Sequence, residues 1–214
     1  MTRHDVIHPM REQRMSSSTP LTLALAAALI GAVVQPALAQ PKPAAAVLQS
    51  AASEIAFTTR QMGVPVEGKF SKFSAQISLD PKQPETGSVA FAIDTGSARF
   101  GAPEIDAEVP KPTWLNVGKF PQATFQSSSI KTAGAGKFEV AGKLGIKGAV
   151  RDVVVPVQLQ QAGSGTGMTS TASGSFTIKR LDFKVGEAEW ADTSMLGNDV
   201  VVRFKLVLSG LPPQ

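Results

Sequence analysis

The sequence predicts an all-β protein, an antiparallel barrel of eight strands with one or two short helices. Three observations carry this. Apolar residues recur at every second position in one segment after another, with turn residues between the segments. No βαβ alternation is visible, which argues against a parallel sheet. Helical periodicity is scarce. Closure into a barrel is then the economical arrangement, because it removes exposed strand edges.

The elements follow in order. Ile55 and Phe57 alternate with Glu54, Ala56 and Thr58. Val64, Val66, Gly68 and Phe70 alternate with Pro65, Glu67 and Lys69, and then the phase flips to Phe73, Ala75, Ile77 and Leu79. A one-residue slip turns every side chain to the other face. The stretch 64–79 therefore reads as one long bent strand with a bulge or turn at Ser71-Lys72. Val89, Phe91 and Ile93 mark the next strand. Residues 103–117 carry the one helical signal. Pro103 suits a first helical turn, Glu104 and Asp106 suit its positive end, and Pro110 and Pro112 interrupt it. The segment from Ala123 to Ile130 is rich in Thr, Ser and Phe. Phe138, Val140, Gly142, Leu144 and Ile146 share one face, and Val153, Val155, Val157 and Leu159 share another. Gly163 to Gly167 is a flexible turn without the Lys-Ser/Thr and helix of a phosphate cradle. Gly174, Phe176 and Ile178 lead to the clearest strand, with Val200, Val202, Phe204, Leu206 and Leu208 in phase.

Gly68, Gly142 and Gly174 lie in phase with apolar faces, and each removes inward bulk. The expectation is a hollow barrel, in which a small ligand fits. The alternative is that these glycines only bend strands and the interior is filled.

The first residues read as a removable address. Arg11 and Arg14 give a positive start, Leu21 to Val34 is apolar, and Ala37-Leu38-Ala39 is a small-x-small cleavage site. The apolar run is shorter than the roughly 20 residues that cross a bilayer. The expected organisation is a signal peptide at 1–39, a flexible tether at 40–47 and one barrel domain at 48–210. That places the mature protein in the periplasm or outside the cell, with no stable membrane span. Translation starting at Met10 or Met15 is also compatible. The leader takes Arg3, Arg11 and Arg14 against Asp5 and Glu12, so the mature chain is weakly basic with scattered charges and gives no case for nucleic acid.

The chain has 2 His, both in the leader (His4 and His8), with 0 Cys and 0 Tyr. The mature domain thus lacks the parts of Ser-His-Asp or Cys-His catalysis, Cys/His zinc sites and thiol redox chemistry. No cofactor is expected.

Six pieces, in order, resemble the YceI-like family of periplasmic polyisoprenoid-binding proteins. They are Ser53-Glu54-Ile55-Ala56-Phe57, Gly68-Lys69-Phe70-Ser71-Lys72-Phe73, and Phe120-Pro121-Gln122-Ala123-Thr124-Phe125-Gln126-Ser127. The others are Gly142 through Ala149, Lys179-Arg180-Leu181-Asp182-Phe183, and Gly186 through Asp192. The similarity runs from about Leu48 to Ser209. Three departures stand out: Ala52 replaces a frequent His, Trp114-Leu115 replaces Trp-Phe, and Lys184-Val185 follows the late Phe. The resemblance implies a lipocalin-like barrel with a long apolar tunnel for an isoprenoid chain and no established class-wide catalysis.

A prenyl chain needs an apolar wall, with polar groups only at its head. The in-phase candidates are Phe70, Phe91 and Ile93 from the first half of the chain and Phe125, Leu144 and Ile146 from the middle. Phe176, Ile178, Val202 and Phe204 come from the last strands. Trp114, Leu115, Phe183 and Trp190 come from loops. Glu104, Asp106 and Glu108, and likewise Glu187, Glu189 and Asp192, read as solvated loop acids. Paired carboxylates could alternatively serve a hydrolase or hold Ca²⁺. Arg180 beside Asp182 reads as a structural ion pair, with a tie to a pyrophosphate head as the alternative. The expected function is non-catalytic binding of a polyprenyl carrier or quinone tail for transport, storage or sequestration. The rivals are a filled barrel acting as a stress or interaction module, and a carboxylate-based hydrolase. Self-association into a homodimer is left open.

Overall fold

The computed structural model describes residues 45–214. The expected signal peptide at 1–39 and most of the expected tether lie outside the described residues. Ala45–Leu48, which overlaps the end of that tether, is strand β1.

Ten further strands follow: β2 (Glu54–Gln61), β3 (Val64–Phe70), β4 (Phe73–Ser78), β5 (Ser88–Asp94) and β6 (Ala98–Arg99), then β7 (Gln122–Gly134), β8 (Lys137–Ile146), β9 (Ala149–Ala162), β10 (Thr169–Lys179) and β11 (Asp199–Ser209). The helix α1 (Pro103–Glu108) begins at the expected proline and is complete before Pro110. Short 3-10 turns, including Arg180–Phe183 and Ala188–Ala191, occupy the loops.

All pairings are antiparallel, and the sheet closes on itself through β1 and β11. The closed wall has eight staves, because two of them are built from two strands end to end. β1 and β2 both lie along β11. β3 pairs with β2, and β4 pairs with β1. The stretch 64–78 is thus one bent stave, as the phase flip predicts. Ser97 makes the break at Ser71-Lys72 tolerable. Its backbone oxygen accepts from Ser71 N–H at 3.2 Å, and its Oγ accepts from Lys72 N–H at 3.0 Å. The backbone donors freed by the bend are therefore satisfied. β6 covers the same place, pairing with Lys69 and Phe70.

The glycines in phase with the inner face have a different meaning from the expected one. A Cβ on Gly68 would stand 2.4 Å from Phe57 Cζ. The corresponding distance is 2.6 Å from Gly142 to Phe125 Cζ and 2.6 Å from Gly174 to Phe204 Cζ. Each glycine is a seat for a neighbouring phenylalanine ring, so it contributes no open volume of its own.

The densest packing lies at one end of the barrel, where Ile130, Leu159, Leu208 and Leu211 are all nearly sealed from solvent. Toward the other end the inward-facing rings of Phe57, Phe70 and Phe176 are only half-buried.

Candidate binding cavity

The barrel is hollow. An outer chamber of about 360 Å³ lies at the end bearing α1, and an inner chamber of about 140 Å³ lies toward the packed end. Ile55, Ile93, Leu144, Phe176 and Val202 line both, so the chambers meet at a shared apolar waist. The inner chamber is lined by hydrophobic residues alone. The outer chamber adds Thr59, Gln61, Thr95, Glu104, Glu108 and Arg180. Glu104 and Glu108 are exposed and Thr59 and Gln61 half-buried, which puts the opening between α1 and the tips of β2 and β3.

All fourteen residues singled out by pattern lie against a chamber. Phe70, Trp114, Leu115, Ile146, Ile178, Phe183 and Trp190 border the outer one. Phe91, Phe125 and Phe204 border the inner one. Ile93, Leu144, Phe176 and Val202 form most of the waist. Sequence reasoning missed Phe57, whose ring meets Phe70 and Phe100 at centroid distances of 5.1 and 5.2 Å. Its phase with Ile55, two residues earlier, was the signal for it. Phe100, Ile105, Val109 and Leu196 were also missed; they come from α1 and loops, which have no strand period to betray them.

Two buried cations organise the outer end. Arg180 is 3% exposed and makes no ion pair with Asp182 among the described residues. The expected pair is thus replaced: Asp182 is exposed, and the guanidinium turns inward. Its Nε donates to Gly197 O, Nη1 to Val185 O and Gly186 O, and Nη2 to Trp190 O and Leu196 O. A guanidinium has five N–H donors, and here all five are used. Burial lowers its pKa from the ordinary value, but an arginine stays charged. Gly186 is required for this approach, since a Cβ there would stand 2.5 Å from Arg180 Nη1.

Lys147 is the second cation. It occupies a left-handed conformation in the tight β8–β9 turn and is 7% exposed. Its ammonium donates to Glu187 Oε2 at 2.7 Å, Lys184 O at 2.6 Å and Thr113 O at 3.3 Å. Thr113 O also accepts from the N–H groups of Gly186 and Glu187. The loop before β7, the β8–β9 turn and the segment after β10 are thereby tied together. Trp114 and Trp190 pack against each other in this assembly, with ring centroids 5.2 Å apart and planes tilted by 47°.

Four of the six acids singled out by pattern hold local partners, while Glu104 and Glu108 border the opening of the outer chamber. Asp106 accepts from Phe100 N–H at 2.7 Å, and Glu108 pairs with Lys111. The Lys147 hydrogen bond and charge hold the Glu187 carboxyl below its ordinary value, and hydrogen bonds from Ser194 do the same for Asp192. No cluster of three metal-ligating side chains occurs among the described residues.

Residues 47–208 match the family model for the YceI-like domain. The chain belongs to the YceI-like family. The YceI-like domain here is 41% identical to Burkholderia cenocepacia BcnA, with a TM-score of 0.71 over 75% of this chain and 99% of that one. A polyisoprenoid-binding domain from Saccharophagus degradans shares the fold, with a TM-score of 0.62 at 15% identity over 79% of this chain and 99% of that one. Among curated relatives, a UPF0312 protein of Ectopseudomonas mendocina is 30% identical over 55% of this chain, and the match spans 63% of that protein's length.

Proposed function

We propose that this protein binds an isoprenoid-type lipid, a polyprenyl carrier or a quinone tail, inside the barrel and does not transform it. The binding would serve transport, storage or sequestration in the periplasm. The observation that carries this reading is the pair of apolar chambers joined at an apolar waist. Each buried methylene contributes about 0.8 kcal/mol, so a long tail supplies the affinity without directional contacts. The name of the Saccharophagus neighbour points to the same ligand class. Binding without turnover is supported by the engagement of Asp106, Glu108, Glu187 and Asp192 in local hydrogen bonds. With all donors of Arg180 and Lys147 taken by protein oxygens, a quinone-like head is favoured over a phosphate.

The test is lipid extraction and mass spectrometry on protein purified from its native compartment. A near-stoichiometric isoprenoid lipid is expected. Protein that leaves that compartment reproducibly lipid-free, and that takes up no prenyl chain when offered one, would sink the reading. Intact mass of the same sample tests cleavage after Ala39.

A further inference from the structure

The outer end of the cavity carries the polar groups, so on the lipid reading above a tail would pass the waist and run toward the packed end. One residue lining that end, Leu211, comes from beyond the last strand. β11 ends at Ser209, and Gly210, at φ +86°, turns the chain back. Leu211 then enters the inner chamber beside Leu79, Ile130, Leu159 and Leu208 and is 3% exposed. The turn is clamped to β9. Gln161 Nε2 donates to Pro212 O at 2.9 Å, and Gln161 Oε1 accepts from Gln214 N–H at 2.8 Å. Gln161 also donates to Ser170 Oγ at 3.1 Å, which fixes its own side chain.

We propose that Leu211, held by Gln161, is the end stop of the inner chamber and sets the length of apolar tail the cavity accepts. This rests on the lipid reading above and adds a specificity-determining residue to it. Burial in an apolar chamber is non-directional. Affinity therefore rises with each added methylene while there is room, by about fourfold per carbon. Once the tail meets Leu211, a further methylene stays in water or must displace a clamped side chain, and affinity stops rising.

The experiment uses a homologous series of linear alkan-1-ols displacing a fluorescent apolar dye from the delipidated protein. The wild type is expected to show a break in affinity against chain length. Leu211→Ala removes three carbons from the stop and is expected to move the break to chains about three carbons longer. Leu211→Phe is expected to move it to shorter chains. Gln161→Ala keeps Leu211 but unties it, and is expected to soften the break so that longer chains still gain affinity. A break at the same chain length and equally sharp in every folded variant overturns the proposal while leaving the lipid reading intact. Failure of alkanols and prenyl alcohols of every length to displace the dye overturns both.

Discussion

The Lys147 ammonium donates to Glu187 Oε2 across 2.7 Å, joining the β8–β9 turn to the loop that carries Trp190. The lysine is nearly buried and the carboxylate half exposed. Because the Glu187 pKa is depressed in the folded state, the charged form stabilises the fold. That contribution is complete above the ordinary value of 4.5 and is lost as the pH falls through the lowered folded value. Glu187→Gln is expected to be less stable than wild type at neutral pH and to show a smaller loss of Tm on acidification. Thermal melts between pH 7 and pH 3 check this, and parallel curves for the two proteins would refute it.

Arg180 makes a sharper prediction. Arg180→Met leaves the carbonyls of Val185, Gly186, Trp190 and Leu196 without their guanidinium donor, while Gly197 O keeps Thr59 Oγ1. Leaving even one or two buried acceptors unpaired costs several kcal/mol, so a loss of at least about 3 kcal/mol in urea unfolding is expected. Arg180→Lys is expected to rescue little, since an ammonium has three donors and no planar fork. Full rescue by lysine would mean that charge alone, and not the five-way geometry, matters.

The glycine seats separate two kinds of crowding. A Cβ at Gly174 meets Pro156 O at 2.1 Å, whereas at Gly68 the two nearest atoms belong to the Phe57 side chain. Backbone cannot move aside as a ring can. Gly174→Ala is expected to destabilise more than Gly68→Ala, by about 1 kcal/mol or more. Phe57→Leu is expected to recover much of the Gly68→Ala loss and to be additive with Gly174→Ala. Chemical denaturation of the single and double variants decides it.

The staves were legible because strands alternate, and the bend at Ser71-Lys72 was legible as a change of phase. The wall residues on strands followed from the same rule. What alternation could not convey is which neighbour fills the space a glycine leaves, since that depends on diagonal pairs such as Phe125 with Gly142. Nor could it find the outer end. Phe100 and Leu196 sit in segments without a period, and Asp182 is the nearest acid to Arg180 in sequence yet plays no part in its partners. The buried cations are recognised only once the loops converge on them.

Leu144 occupies the waist and is 8% exposed. A charge there has no partner within a wall of Ile55, Ile93, Phe176 and Val202, and a buried unpaired charge is costly. Leu144→Arg can relieve that cost by extending the guanidinium along the cavity toward the open end, which obstructs the passage between the chambers. It is therefore expected to abolish lipid co-purification with the folded protein. Leu144→Trp fills the waist without charge and is expected to lower retention as well, with less effect on stability. Lipid extraction of both variants checks the point. Undiminished lipid in folded Leu144→Arg protein would mean that the tail does not pass this position, and that the two chambers do not act as one site.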